Sequence, residues 1–534
     1  MDNKPTAGLR DLFEAVHGDE DDAVVRLLRA GAPAEATDEE GTTVLYAAVV
    51  DDRAGAVRLL LAAGADPDRP SGSGDGDLPL CAAAVGGHTE VTRALLAAGA
   101  RPDLREAYGF TALAWAAGRG HAAVAEALLE YGADPDLPGP SGEPPLVLAA
   151  RRGSAATVRV LLRHRASAHR ATLEEALAEA ERWLERDLEH SLREGLKHTY
   201  GSLGGDEFAV RRIAEDGGTT VVAELLRDGL PVAAAEQQTG HAAVVTRLEC
   251  VLGISTPAAE LAARAVRSGS PVSNNWRESV AVLWQRADAE TLRAAQEWCA
   301  DDPLCDDPLC ADGFTFLHGT FAADVLARAA PAAAAVPLLR DLAARPGPAH
   351  LTRAAIRALG RHRDPSALPE VLAQASHEDA EVRRRVAEAL GRLAGCGAPG
   401  AQGAPQAQEA RAAQDEAAAL IALTRDPDSA VRHEAVAALA RSQADTPAVR
   451  DALARQVGTH SRQLEQGPPL DSVYAEAARG LAVRQDPRAA GALLRVLADG
   501  PPEGPGRAVA VQALTHLTDG ALRRRLQSTF PRCR

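Results

Sequence analysis

The chain has 534 residues, of which 3% are aromatic and one is Met, which argues against one large core built on bulky side chains and for an extended array of helices. Its formal net charge is −16. Residues 1–10 hold no apolar export-type stretch, and the Ala-rich run at 321–343 is broken by Asp324, Arg328, Arg340 and Asp341, so the expectation is a cytoplasmic protein that does not enter a membrane.

Residues 1–150 carry 25 acidic and 11 basic side chains, giving −14. An acidic front end disfavours nucleic acid there and favours a partner with a basic surface. Within it the sequence repeats itself. Leu113 lies 33 residues after Leu80 and 33 before Leu146. The Leu-Leu pairs beginning at 27, 60, 95, 128 and 161 and the Gly-Ala pairs beginning at 31, 64, 99 and 132 keep nearly the same interval. A fixed period of this length marks a stacked repeat. In the best-formed copy, 109–136, Thr111 is placed to cap a first helix with apolar face Leu113, Ala116 and Ala117. Gly120 breaks that helix, Val124, Leu128 and Leu129 line a second, and Gly132 ends it in the left-handed conformation. Asp134-Pro135-Asp136 then reads as an extended turn.

These units resemble ankyrin repeats. Gly109, Thr111, Leu113, Ala116, Ala117, Gly120, His121, Leu128, Leu129, Gly132, Ala133 and Asp134 meet the family pattern, and four further copies keep parts of it. The family's His after Leu is replaced by Tyr46, Cys81, Ala114 and Val147. The resemblance implies a stack presenting a concave face made by the first helices. On it the family register places Glu14, Trp115 and Leu148, with Asp51, Arg119, Arg151 and Arg152 just before the turns. Asp103, Arg105 and Tyr108 fall on the turn edge. Trp115 and the arginines are the residue types that dominate interface hot spots, so these ten residues are the expected partner-binding set.

Past residue 170 the period stops. Residues 172–197 predict one long helix, with Thr172 and Glu175 as a capping box and Leu173, Leu177, Ala180, Trp183, Leu184, Leu188 and Leu192 as its stripe. Residues 219–238 predict a β-hairpin with an Asp228-Gly229 turn. A decayed sixth ankyrin repeat is the rival reading, because Gly240-His241-Ala242-Ala243-Val244 copies Gly120-His121-Ala122-Ala123-Val124. The interval from Gly229 to Gly240 is too short for a whole first helix, which favours the hairpin. Helices are expected again at 257–268, 276–286 and 289–300. Cys299, Cys305, Cys310 and His318 match no common zinc spacing, and no metal or cofactor is expected.

A second repeat starts near 320. Ala358-Leu359-Gly360-Arg361 through Asp364-Pro365 is echoed by Gly480-Leu481-Ala482-Val483 through Asp486-Pro487. Glu381-Val382-Arg383 through Ala389-Leu390-Gly391-Arg392 is echoed by Ala430-Val431-Arg432 through Ala438-Leu439-Ala440-Arg441, and the basic spacing is 31 residues from Leu359 to Leu390. Asp-Pro pairs at 364, 426 and 486 each offer a capping Asp with Pro at the first helical position. This resembles HEAT repeats, of the short type also found in phycobilisome-lyase-like families. The Gly/Ala/Pro/Gln-rich stretch 395–408 reads as a flexible loop.

The expected fold is therefore mainly all-α: an ankyrin stack over 1–170, a connecting helix and small β-hairpin over 171–255, and a HEAT-like superhelix over 256–534. No P-loop, dinucleotide, zincin or nucleophile-elbow motif occurs, so no catalytic residue is assigned. Lys occurs only at Lys4 and Lys197, as in a GC-rich bacterial genome. The expected role is a non-catalytic scaffold or adaptor that binds another protein. The alternatives are a HEAT-type nucleic-acid-binding protein, suggested by Arg383-Arg384-Arg385 and Arg523-Arg524-Arg525, and a lyase-like HEAT enzyme acting on another protein. A charge of only +4 over 351–534 speaks against nucleic acid.

Overall fold

The computed structural model describes residues 4–72, 76–164, 169–184, 186–201, 206–215, 218–267, 270–300, 317–329, 331–393, 406–463, 472–499 and 505–517. The chain divides into two compact units, Met1–Val282 and Leu283–Arg534.

The first unit opens with five helix pairs: α1 (Lys4–His17) and α2 (Asp21–Arg29), α3 (Val44–Val50) and α4 (Ala54–Ala62), α5 (Pro79–Gly86) and α6 (Thr89–Ala97), α7 (Ala112–Arg119) and α8 (Ala122–Glu130), α9 (Pro145–Arg152) and α10 (Ala155–Arg163). First helices stack on first helices and second on second. Local chemistry sets the boundaries. Thr111 Oγ1 accepts from Ala114 N at 3.1 Å at the start of α7. Gly120 ends it at φ +82°, a left-handed conformation that costs any residue with a Cβ. Two of the substituted His positions find other partners: Tyr46 Oη donates to Asp77 at 3.2 Å, and Cys81 Sγ donates to Phe110 O at 3.9 Å.

Then follow α11 (Arg170–Leu184), α12 (Leu188–Tyr200), strands β1 (Glu207–Glu215), β2 (Gly218–Arg227) and β3 (Leu230–Gln238), and helices α13 (His241–Leu252), α14 (Ala258–Val266) and α15 (Asn274–Arg286). The single helix expected at 172–197 is two. Asp187 captures His190 N at 3.1 Å and starts α12. The capping box does not form, because α11 begins at Arg170 and leaves Thr172 inside it. The apolar stripe is accordingly shared between two cores. Leu173, Ala176, Leu177 and Ala180 join the core of the helix pairs, whereas Leu188, Leu192 and Leu196 pack against β2 and its neighbours. The hairpin is present, with Asp228 at φ +51° and Gly229 at φ +76° in its turn. It belongs to a three-stranded antiparallel sheet in the order β1-β2-β3. The third strand, β1, pairs Glu207 with Leu226 through Glu215 with Gly218. Its alternation is weak because most of its residues are exposed.

The hairpin and the sixth repeat turn out to be compatible. α11 stacks on α9, and α13 stacks on α11 and α10, as the first and second helices of another pair would. His121 Nε2 lies 3.1 Å from Val85 O, two residues before Gly87, and His241 Nε2 lies 3.1 Å from Arg151 O, two residues before Gly153. The rings fill the space that only glycine leaves: a Cβ on Gly87 or Gly153 would fall 2.9 or 2.5 Å from the imidazole of His121 or His241. The first helix missing before Gly240 is α11, and α12 with the sheet is inserted between the two helices of the pair.

In the second unit, α16 (Ala289–Ala300) precedes α17 (Leu317–Ala329), α18 (Ala332–Ala344), α19 (Ala349–His362), α20 (Leu368–Ala373), α21 (Ala380–Leu393), α22 (Gln406–Leu423), α23 (Ser429–Arg441), α24 (Pro447–Gln463), α25 (Ser472–Val483), α26 (Arg488–Asp499) and α27 (Pro505–Ala513). Helices α17, α19, α21, α23, α25 and α27 form one stacked layer, while α18, α20, α22 and α24 form another. Asp364 and Asp486 each accept from the backbone N–H two residues on, at 2.9 and 3.0 Å. Asp426 makes the same contact with Asp428 N at 2.9 Å and also pairs with Arg383 at 2.7 Å, but α23 starts only at Ser429 and is capped by Asp428. Most of the loop expected at 395–408 lies outside the described residues, but its last three residues, 406–408, already belong to α22.

Candidate interaction face of the first unit

Trp115 on α7 is half-buried. Its ring stacks on Phe110 with centroids 4.3 Å apart, and its Nε1 donates to Glu106 Oε1 at 2.6 Å. Burial pushes the Glu106 carboxyl up, the indole N–H holds it down and Asp77 adds repulsion. The indole walls a cavity of about 360 Å³, lined also by Phe110, Ala114, Gly118, Arg119, Leu148 and Arg152, and from β3 by Ala234, Ala235 and Glu236. Packing against a neighbour and facing a cleft are thus both true of this side chain.

The cleft's cationic side is engaged by the inserted sheet. Arg152 is 8% exposed; its Nη2 reaches Glu236 Oε1 at 2.8 Å and its Nη1 donates to Glu236 O at 2.5 Å. Burial disfavours the Arg152 charge and Glu236 restores it. Arg119 lies 3.6 Å from the same carboxylate. Gln237 Nε2 donates to Arg151 O, and the Arg151 guanidinium is held by Glu143 and by Glu179 at 3.2 Å. Glu236 was not among the expected site residues. Its only sequence signal is position, on a strand running back toward Gly240-His241.

The structure brings Trp115, Arg119, Leu148 and Arg152 to one cavity, with Arg151 beside Arg152 on α9. Glu14, exposed on α1, and Asp51, 2.5 Å from His17 Nδ1, do not line it. On the turn edge Tyr108 is 71% exposed. Arg105 donates to Gly109 O at 2.6 Å and Pro138 O at 2.7 Å. Asp103 accepts from Asp134 N at 2.9 Å, as Asp68 accepts from Arg101 N at 3.0 Å and Glu35 from Asp66 N at 2.5 Å. These carboxylates tie each turn to the next.

Elsewhere, the Arg383-Arg384-Arg385 run is neutralised internally, by Asp426, Glu381 and Glu388. Arg523-Arg524-Arg525 lies outside the described residues. So do Cys305 and Cys310, while burial pushes the Cys299 thiol up to about 12. No helix among the described residues is long and apolar enough to cross a membrane.

Residues 12–106 and 55–139 match ankyrin repeats, in three copies, and residues 336–410 match HEAT repeats, without the narrower phycobilisome-lyase-like kind. No curated protein matches the chain. Both kinds of repeat are generally protein-interaction scaffolds. The chain carries ankyrin repeats in its N-terminal region and HEAT repeats behind them, with a small antiparallel sheet inserted between.

Proposed function

We propose that this chain is a non-catalytic cytoplasmic scaffold that binds another protein on the first-helix face and turn edge of its ankyrin repeats. The observation that carries the reading is the cavity beside Trp115. It is lined by Phe110, Leu148 and Arg119 together with the Arg152–Glu236 pair, and exposed Tyr108 stands on the turn preceding α7. Trp, Tyr and Arg around an apolar recess are the usual composition of a hot spot. The −14 charge of residues 1–150 suits a partner with a basic surface and would speed its approach.

The test is quantitative affinity capture with the full chain, its Trp115→Ala variant and its Tyr108→Ala variant, with circular dichroism checking the helices of each. A hot spot of 2 kcal/mol or more corresponds to roughly a thirtyfold weaker complex. At least one partner held by the wild type is expected to drop by that order in both variants. Retention of every partner by both would sink the proposal. Tyr108, being largely exposed, keeps the outcome readable should loss of Trp115 disturb its neighbours.

A further inference from the structure

Among the described residues of the second unit, two arginines share one indole with no carboxylate in ion-pair distance of either. Trp284, near the end of α15, donates its Nε1 to Asp324 O at 2.8 Å and Val325 O at 3.1 Å, which fixes the indole against α17. The Arg328 guanidinium from α17 sits 4.5 Å from the centre of that ring, and the Arg361 guanidinium from α19 sits 5.6 Å from it. Neither has a carboxylate within ion-pair distance among the described residues. Among the described residues, the carboxylate acting on Arg361 is Asp324, and it pairs with Arg357. His362 Nε2, 2.9 Å from Leu326 O, ties the end of α19 to α17 and so fixes the spacing of the two arginines.

Such an arrangement costs stability in the empty protein. The Arg361 charge is disfavoured first by its partial burial and then by Arg328, Arg357 and Arg392, with only Asp324 acting in its favour. Like charges are held together at a loss when a ligand of opposite charge repays it. Stacking on an indole orients a guanidinium while leaving its N–H edge free to donate. Two such edges around one aromatic plate match an anion with several acceptor oxygens. A lone carboxylate would neutralise one of the two unpaired charges. A phosphoryl group, with a charge of about −1.5 to −2 near neutral pH and three acceptor oxygens, answers both.

We propose that Arg328 and Arg361, oriented by Trp284, form a binding site for a phosphoryl group, free or carried on a side chain.

The test uses the full chain and two probes, inorganic phosphate and O-phosphoserine, against chloride and acetate at matched ionic strength, with binding followed by calorimetry and by the unfolding midpoint. Either probe is expected to bind and raise the midpoint where chloride and acetate do not. Binding of both marks the phosphoryl group itself as the ligand, and binding of phosphoserine alone marks a side-chain-borne one. Arg361→Gln and Arg328→Gln should each weaken binding at least tenfold, whereas Arg425→Gln, at an exposed arginine between α22 and α23, should not. Without anion, Arg361→Gln should leave the midpoint level or raised, because it removes repulsion, an outcome that a purely structural arginine would not give. Arg328 is exposed, so its variant carries the test if that at Arg361 proves unstable. Failure of both probes to bind, or wild-type affinity in both variants, would overturn the proposal.

Discussion

His241 is buried between the indole of Trp183, with ring centres 5.6 Å apart, and the last carbonyls of α9. Burial holds its imidazole down at about 4, against 6.5 for a free ring. Between those values the unfolded chain takes up a proton that the folded chain refuses. The stability tied to this ring is therefore complete above pH 6.5 and declines as pH falls toward 4, by up to about 3 kcal/mol if the whole shift is realised. His121 is displaced in the same direction, chiefly by burial. In urea denaturation at pH 7 and pH 4.5, His241→Gln is expected to be the weaker protein at pH 7, having lost the stack. It should lose less on acidification than wild type. Equal slopes for the two proteins would show that His241 does not carry the pH dependence. Residues of this kind were legible as a copied motif, Gly-His-Ala-Ala-Val. What the motif contacts was not, because its glycine partner stands in another repeat.

At the scale of elements, the second unit's stacked layer depends on how closely its helices approach. A Cβ on Gly360 would lie 2.9 Å from Ala389 Cα and 3.0 Å from Ala389 Cβ, and one on Gly391 would lie 2.7 Å from Ala438 Cβ. Alanine in place of a helical glycine gains about 1 kcal/mol of intrinsic propensity, but overpacking costs about 1–3 kcal/mol. At Gly360 the obstacle is backbone, which cannot rotate aside, so Gly360→Ala is expected to lower stability. Gly458→Ala, with nothing within 4 Å of the added Cβ, is expected to raise it by roughly 0.5–1 kcal/mol. Chemical denaturation of the two variants separates the terms; a stabilised Gly360→Ala would mean that α19 and α21 are not held that tightly. The repeated Ala-Leu-Gly-Arg showed where these helices recur, though not why glycine stands in them. The break at Asp187 and the strand β1 were hidden for a different reason. A continuous apolar stripe can serve two cores in succession, and an exposed strand has little pattern to read.

Across the whole first unit, the visible period stops near 170 but the packing does not. Leu173, Leu177, Val244 and Leu248 are buried in the same core as Leu128 and Leu161. Cutting at 170 uncovers the faces of α9 and α10 at about 1.5–3 kcal/mol per Leu or Val side chain left exposed, an upper measure since the unfolded chain is itself partly collapsed. A 1–282 fragment should unfold cooperatively, and a 1–170 fragment at markedly lower denaturant; equal midpoints would refute a stabilising role for α11 and α13. The family match ends at 139, and the interrupted pair behind α10 reads in the sequence as a linker with a hairpin because its two helices are separated by α12 and the sheet. The interruption also orders events in time. During synthesis α11 emerges before α12 and the sheet, and α13 only after them. The stack therefore stays open at its growing end until the strand bearing Glu236 has already been made. Trp115, Arg119, Leu148 and Arg152 are all made before Glu236, so for the length of chain between α9 and β3 the arginines are without the carboxylate that pairs with them in the finished fold.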